Sequence, residues 1–260
     1  MLILVKWGGS LITNKEKPYS ARRQVIKRLA LEIHAARAKN DFKLILGHGG
    51  GSYPHQSAFY YKIHEGIKSE ESLLGISRVH KDADELNKLV INALQSVGEC
   101  PLPIPPSSSC TAENRKILRW DLKPIKNMLK TGLLPVTYGD VVLDLKQGCA
   151  ILSTETILSY FAKQLKAQKL ILCGNVLGVY DSEGRVIKEI TPKNYKEIKK
   201  HLTATKGKDV TGGMLHKVNS ALALVKSTNI KVEIIDGSKP GVVRRALEGK
   251  EGQGTIIKRV

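Results

Sequence analysis

Short apolar runs alternate along the chain with longer stretches in which apolar residues recur every three to four positions. The short runs are rich in branched aliphatic residues and predict buried strands over residues 2–5, 43–46, 134–137, 169–173, 231–235 and 255–257. The longer stretches have helical spacing and predict helices around residues 25–33, 76–97, 121–132, 155–166, 195–202, 213–227 and 241–247. Strands that alternate with helices indicate an α/β fold with a mostly parallel sheet.

Local signals refine this outline. Ser20 is placed to cap the first long helix, and Ser153 or Thr154 can cap the helix that follows residue 152. The proline-rich segment at residues 101–110 must be extended or looped. We find no repeat and no clear linker, so residues 1–260 are expected to form one domain with two lobes that meet near residue 150.

Hairpins and loops are predicted at three further places. Residues 141–143 and 150–152 form a hairpin around a Lys-Gln-Gly turn, and residues 179–180 and 185–187 flank a second turn. Residues 206–208, Lys-Gly-Lys, are a predicted mobile loop between two helices.

The composition is that of a soluble globular protein, and no apolar run approaches the roughly 18 to 20 residues that would span a bilayer. Hydrophobic residues make up 42% of the 260 residues and charged residues 25%. The N-terminal apolar run is too short for a signal peptide, so a cytoplasmic location is expected. Four widely spaced cysteines form no C-x-x-C pair, which disfavours a zinc site or a disulfide framework.

The net charge of +18 allows two interpretations. A basic protein can bind nucleic acid, but here lysines are spread over the chain and only 5% of residues are aromatic. A positive field also steers anionic substrates toward an enzyme. We favour a lysine-rich surface with a steering benefit, and nucleic acid is not expected to be the main partner.

Three glycine-bearing turns at strand-to-helix junctions carry the predicted chemistry. They are Lys-Trp-Gly-Gly-Ser at residues 6–10, Gly-His-Gly-Gly-Gly-Ser at 47–52 and Asp-Val-Thr-Gly-Gly-Met at 209–214. Glycines let backbone N–H groups approach an anion closely, and a following helix adds its positive end. No Walker A sequence occurs, and G-x-G-x-x-G follows neither of the first two strands, which disfavours P-loop NTPases, protein kinases and dinucleotide-binding oxidoreductases.

The chain resembles the amino acid kinase superfamily over nearly its whole length, and within it the isopentenyl phosphate kinases. Four stretches carry the resemblance: K-W-G-G-S-L-I-T-N-K at residues 6–15, G-H-G-G-G-S-Y-P-H at 47–55, Y-G-D-V-V-L-D at 138–144 and D-V-T-G-G-M-L-H-K at 209–217. The resemblance implies a three-layer αβα sandwich with a mostly parallel central sheet. His55, four residues after the triple glycine, corresponds to a residue that separates phosphate-accepting members from those acting on carboxylates.

The resemblance also implies roles on the acceptor side. Lys6 and Lys15 would neutralise the transferring phosphoryl group, and Gly50 and Gly51 would cradle the acceptor's phosphate. His55 would hydrogen-bond to that phosphate. His48 is expected to be a structural turn residue and is not placed in the catalytic set. The acceptor's apolar tail would lie against the helix predicted over residues 76–97.

On the nucleotide side, the resemblance assigns phosphate or nucleotide contacts to one lysine and four glycines in addition to Lys6. They are Gly174, Gly213 and Lys217, together with Gly8 and Gly9, which would offer backbone N–H groups to the same phosphates as Lys6. About residues 1–150 would form the acceptor lobe and about residues 151–260 the nucleotide lobe.

The sequence departs from the family pattern in three places. Where the family carries I-S-G-D-D, this chain has Thr154 and Glu155; the Thr154 N–H could still reach a phosphate, and Glu155 keeps the charge that orients the catalytic lysines. Where the family carries T-D-V-D-G-V-Y, this chain reads G-N-V-L-G-V-Y at residues 174–180 and lacks both aspartates. Pro54 replaces a glycine before His55. Nucleotide or metal contacts are therefore expected to differ, and no residue is assigned as a metal ligand.

The activity implied is ATP-dependent phosphorylation of isopentenyl phosphate to isopentenyl diphosphate, a step of isoprenoid precursor synthesis in the mevalonate pathway. Transfer would be direct and in line, with Mg²⁺ bridging the β- and γ-phosphates of ATP, and the resemblance suggests a homodimer. Two alternatives stay open at this point. One is a kinase for another small phosphate or phosphonate, such as dimethylallyl phosphate or fosfomycin. The other is a non-catalytic protein that binds nucleotide or nucleic acid.

Overall fold

The structure is a computed structural model and describes residues 1–204, 211–250 and 252–259, with the side chains of residues 201–204 and 211–212 left undescribed. The strands are β1 (Leu2–Trp7), β2 (Lys43–His48), β3 (Pro101–Pro103), β4 (Cys110–Glu113), β5 (Lys116–Trp120), β6 (Leu134–Tyr138), β7 (Asp140–Asp144), β8 (Gly148–Leu152), β9 (Lys169–Gly174), β10 (Glu189–Ile190), β11 (Lys231–Asp236) and β12 (Gly254–Ile257). The α-helices are α1 (Gly9–Ile12), α2 (Arg23–Arg37), α3 (Pro54–Tyr60), α4 (Glu70–Gln95), α5 (Lys123–Thr131), α6 (Thr154–Gln164), α7 (Tyr195–Ala204), α8 (Thr211–Ser227) and α9 (Val242–Leu247).

An eight-stranded sheet runs through the molecule in the order β10-β12-β11-β9-β1-β2-β6-β3. All its described pairings are parallel except that of β11 with β12. Because β1, β2, β6, β9 and β11 are buried on both faces, their sequences read as nearly continuous apolar runs. The predicted α/β class with a mostly parallel sheet is confirmed.

Two apolar cores cover the two faces of this sheet, which gives the predicted three-layer sandwich. One core joins Ile3, Val5 and Trp7 of β1 to α2, α4 and α9. The other joins Leu2 and Leu4 of the same strand to α5, α6 and α8. Side chains alternate between the faces of a strand, so β1 supplies both cores.

A four-stranded sheet in the order β5-β4-β7-β8 lies beside the main one. The predicted hairpin of residues 141–143 and 150–152 is confirmed as the antiparallel pair β7 and β8. The strands β4 and β5 were not predicted, because only one residue of β5, Trp120, is buried and the pattern carries little periodic signal.

Of the two N-terminal helix caps predicted from the sequence, the structure confirms one and contradicts the other. Ser153 caps α6, since its Oγ accepts a hydrogen bond from the Thr156 N–H at 3.1 Å. The expected Ser20 cap is wrong. The helix α2 begins at Arg23 with no side-chain cap, while the Ser20 N–H donates to Ser52 Oγ and the Ser20 carbonyl accepts from Asn14 N–H.

The predicted loop at residues 206–208 and the first two residues of the third glycine motif, 209 and 210, lie outside the described residues. No helix in the part of the chain that the structure describes is long and apolar enough to cross a membrane.

Candidate active site

A cavity of about 540 Å³ opens at the carboxyl ends of β1, β2 and β9, next to the first turn of α6. This is where parallel sheets generally bind ligands. All the predicted site residues line it: Lys6, Gly8, Gly9, Lys15, Gly50, Gly51, His55, Thr154, Glu155, Gly174, Gly213 and Lys217. A second depression of about 710 Å³, lined by Gln56, Phe59, Tyr60, Lys62, His64 and Glu65, contains none of them.

The first two glycine turns pack directly against each other. A Cβ added at Gly9 would lie 2.5 Å from the Gly51 nitrogen, and one at Gly49 would lie 2.7 Å from the Gly9 nitrogen. Thr13 fastens the two turns, because its Oγ1 donates to the Gly9 carbonyl at 2.8 Å and accepts from the Ser52 N–H at 3.0 Å. Gly51 has a φ of +56°, a conformation that glycine adopts at least cost.

Backbone N–H groups in these turns are not all free to meet a ligand. The Gly8 N–H donates to the Cys173 carbonyl at 2.8 Å, and the Gly49 N–H donates to the Trp7 carbonyl at 2.9 Å. This corrects the expectation that the Gly8 N–H would be offered to a phosphate. Gly9 opens α1, so its N–H belongs to the amides that a helix leaves without an internal acceptor.

An ion pair joins the end of β1 to the start of α6. Lys6 Nζ lies 2.5 Å from Glu155 Oε1, and the two side chains are only 15% and 18% exposed. The first turn of α6 is close enough for this contact because Gly47 has no side chain: a Cβ there would lie 2.7 Å from Thr154 Cγ2. The Thr154 hydroxyl donates to the His48 carbonyl at 2.7 Å, and because Thr154 is the first residue of α6, its N–H has no acceptor within the helix.

His55 and Lys15, the two side chains expected to contact the acceptor's phosphate and the transferring group, line the same cavity. His55 is the second residue of α3, and Lys15 lies in an exposed turn between α1 and α2. Partial burial, and then the positive charge of Lys15, lower the pKa of His55, while the backbone of Gly51 acts in the opposite direction. A lowered pKa favours the uncharged imidazole at neutral pH, and that form carries a single N–H.

His48 is fully buried, contacts α4 and does not line the cavity. Its Nε2 is 3.2 Å from Asn87 Oδ1, its Nδ1 is 3.3 Å from the Gly49 carbonyl, and its ring stacks on Tyr138. Burial lowers the pKa of His48 to about 4. The neutral ring has one N–H and can donate to only one of these two oxygens. Its burial and stacking agree with the structural role expected from the sequence.

The part of the cavity expected to contact the nucleotide is built from the end of β9 and the start of α8. The Gly174 carbonyl accepts from the Gly237 N–H at 2.8 Å, and Asn175 Nδ2 donates to the Ser10 carbonyl at 2.9 Å. Gly213 and the half-buried Lys217 complete this wall. Asn175 therefore links the altered stretch at residues 174–180 to the first glycine turn.

Several cavity residues were not singled out from the sequence. Asp140 is fully buried, and its Oδ2 accepts a hydrogen bond from His80 Nδ1 at 2.9 Å. Its position in the Y-G-D stretch was the signal that could have identified it. Ala58, Val79 and Ile151 give the cavity an apolar wall. Val79 lies on the helix that was expected to line the acceptor's tail, although no spacing rule distinguishes it from core residues.

Comparisons with known proteins agree on one family. The model of the amino acid kinase family matches residues 1–236. Isopentenyl phosphate kinase of Methanocaldococcus jannaschii is 34% identical over 99% of this chain and 98% of its own length. The enzyme of the same name from Methanothermobacter thermautotrophicus is 33% identical over 98% of both chains. An acetylglutamate kinase of Cereibacter sphaeroides is 24% identical over 99% of this chain and 87% of its own.

Solved structures show the same likeness. A crystal structure of an isopentenyl phosphate kinase superposes with a TM-score of 0.84 at 30% identity, covering 99% of this chain and all of the other. The product complex of the Thermoplasma acidophilum isopentenyl phosphate kinase superposes with a TM-score of 0.79 at 27% identity, with the same coverage.

Proposed function

The chain belongs to the amino acid kinase family, and we propose that it is a kinase that transfers the γ-phosphate of ATP to isopentenyl phosphate, giving isopentenyl diphosphate and ADP. Relatives that carry this activity in their names align along nearly the whole chain. The observation that carries the proposal is the single cavity in which His55, the triple-glycine turn and Lys15 face the Lys6–Glu155 pair.

The cavity matches the two parts of this acceptor. His55 and the Gly50–Gly51 turn offer hydrogen-bond donors to a phosphate, and Lys15 adds positive charge beside them. Ala58, Val79 and Ile151 offer an apolar wall to a short hydrocarbon tail. A carboxylate acceptor with polar substituents would leave this wall without a partner.

Transfer needs positioning and positive charge rather than a nucleophilic side chain. In the proposed mechanism, a terminal oxygen of the acceptor's phosphate attacks the γ-phosphorus in line, and the bond from that phosphorus to the β,γ-bridging oxygen breaks. Lys6, held by Glu155, and Lys15 stabilise the charge on the transferring group. Loss of one such contact typically costs about 10²- to 10³-fold in kcat.

Magnesium would enter with the nucleotide. Mg²⁺ is usually held by one or two carboxylates together with substrate phosphates, whose charge it offsets. Within the described residues no group of three or more candidate ligands is found, Glu155 is paired with Lys6, and Asp140 is engaged by His80. The residues present therefore fit an ion carried mainly by the phosphates of ATP.

Four finer features are part of the proposal. We propose an acceptor lobe over about residues 1–150 and a nucleotide lobe over about residues 151–260, since the cavity draws its walls from both. A homodimer, a cytoplasmic location and a place in the mevalonate pathway rest on the family resemblance alone.

The test is ADP release by the purified protein with a panel of acceptors, with the phosphorylated product identified by ³¹P NMR. Isopentenyl phosphate is expected to give the highest kcat/KM, above dimethylallyl phosphate, fosfomycin and N-acetylglutamate. His55→Gln should raise KM for the acceptor and lower kcat, whereas His64→Gln, an exposed histidine of the second depression, should change neither. A higher kcat/KM on fosfomycin or on the carboxylate would overturn the choice of acceptor.

A further inference from the structure

The exposed turn that carries Lys15 is fastened to two other parts of the acceptor side. We propose that Tyr19 is a positioning residue, whose hydrogen bond to the buried carboxylate of Asp82 on α4 holds this turn, and with it Lys15, at the cavity. This inference rests on the proposed function, in which Lys15 stabilises the transferring phosphoryl group.

The base of the turn is fixed by its backbone. Thr13 and Ala21 form an antiparallel bridge, and the Asn14 N–H donates to the Ser20 carbonyl at 2.8 Å. Ser52, which follows the triple glycine, accepts from the turn twice: its carbonyl from the Tyr19 N–H at 3.3 Å and its Oγ from the Ser20 N–H at 3.2 Å. The turn and the second glycine motif are therefore joined at their bases.

The Tyr19 side chain adds a second attachment, from the turn to α4. Its hydroxyl donates to Asp82 Oδ2 at 3.0 Å, and its ring packs edge-on against Tyr53 with centroids 5.6 Å apart. Tyr19 has a φ of +49°, which is unfavourable for a residue with a Cβ and persists only where surrounding contacts impose it. Asp82 is 1% exposed, and a buried carboxylate needs a partner of this kind.

The local electrostatics keep the Tyr19 hydroxyl protonated, so it remains a hydrogen-bond donor. Burial, and then the carboxylate of Asp82, raise the pKa of Tyr19, while the charge of Arg78 acts in the opposite direction. The hydroxyl therefore stays protonated throughout the neutral range. A hydrogen bond to a charged acceptor is among the stronger ones in proteins.

The tether connects Lys15 to the acceptor wall. Asp82 lies three residues, or about one helical turn, after Val79, which lines the cavity. Lys15 is close enough to His55 for its charge to lower the pKa of that imidazole. Tyr19 thus links the wall that would contact the acceptor's tail to the lysine that would contact its reacting phosphate.

The experiment is steady-state kinetics of Tyr19→Phe, with Tyr60→Phe as the matched control. Tyr60 is 72% exposed on α3 and does not line the cavity. We expect Tyr19→Phe to lower kcat by about 10- to 100-fold, since a lost charged hydrogen bond and a loosened lysine both act on the transferring group. KM for ATP should stay within about twofold, as expected for a loss confined to the transition state. Asp82→Asn keeps an oxygen acceptor and should lose less.

Two further readouts separate positioning from a general loss of structure. In a Lys15→Met background, Tyr19→Phe should lower kcat by less than about threefold, because residues that act through one another are not additive. The pKa of His55, followed by NMR and assigned with His55→Gln, should rise in Tyr19→Phe as Lys15 moves away. Multiplicative effects on kcat, or an unchanged pKa of His55, would overturn the proposal. The NMR readout needs no acceptor, so it tests the tether even if isopentenyl phosphate is not turned over.

Discussion

Replacing Glu155 with Gln removes the negative charge that holds the Lys6 ammonium group at the cavity. Opposite unit charges at the observed 2.5 Å attract by about 7 kcal/mol at an effective dielectric constant of about 20. Desolvation of the two half-buried groups offsets much of this attraction. We expect about 2–4 kcal/mol of lost transition-state stabilisation, which corresponds to a kcat lower by about 30- to 900-fold.

Glu155→Asp is a graded version of the same change. It keeps the charge but draws the carboxylate back by one methylene, or roughly 1.5 Å. At a separation of about 4 Å the attraction falls to about 4 kcal/mol, so an intermediate loss of about tenfold is expected unless the start of α6 moves toward β1.

The assay is kcat from ADP release at saturating ATP and acceptor, with unfolding measured in parallel. Lys169 and Glu233 provide the control, because they form a second ion pair of 2.9 Å between the start of β9 and the neighbouring strand β11, away from the end of the sheet where the cavity opens. Glu233→Gln should destabilise the fold and leave kcat per folded molecule unchanged. Adding Lys6→Met to Glu155→Gln should cost less than the product of the single effects. A Glu155→Gln enzyme within threefold of the wild type would refute the reasoning.

Three other predictions concern the glycine turn and two histidines. Gly51 has a φ of +56°, and a Cβ there would lie 2.1 Å from a threonine hydroxyl oxygen. Gly51→Ala should therefore lower the free energy of unfolding, measured in urea, by about 2–4 kcal/mol. Gly184→Ala is the control, because Gly184 also has a positive φ but open space around it, and it should lose only about 1 kcal/mol. A bound phosphate should raise the lowered pKa of His55, so binding of the acceptor should be accompanied by uptake of a proton. The affinity for the acceptor should therefore increase as the pH falls toward the pKa of His55 in the free enzyme. Titration calorimetry in buffers of different ionisation heat should show less proton uptake for His55→Gln. The hydrogen bond to Asp140 raises the pKa of His80. The stability that His80 contributes is therefore fully present below about pH 6.5 and is lost as the pH rises through the raised pKa of the folded state. If His80→Asn changes the free energy of unfolding by the same amount at about pH 5.5 and at about pH 9, this reasoning is contradicted.

The sequence was sufficient wherever the governing physics is local. Five strands of the main sheet read directly as apolar runs, because a parallel strand covered on both faces has no polar side to show. Ser153 and Gly132 marked the start of α6 and the end of α5, since caps satisfy backbone groups within a few residues. The glycine turns were visible because few other residues fit a close backbone approach.

Only the tertiary structure decided which groups meet. Lys6 and Glu155 lie 149 positions apart, so no spacing rule pairs them, and only the family resemblance connected Glu155 with the lysines. Tyr19 and Asp82 lie 63 positions apart, and nothing in the sequence connected them. The sequence also did not show which polar groups are already hydrogen-bonded within the protein. The Gly8 N–H donates to the Cys173 carbonyl, and the Thr154 hydroxyl donates to the His48 carbonyl. The sequence by itself determined the order of elements and the glycine turns, because these depend on neighbours along the chain. The ion pairs, the occupied amides and the tethered Lys15 turn depend on how the crossovers bring distant strand ends together, and that is a property of the whole fold.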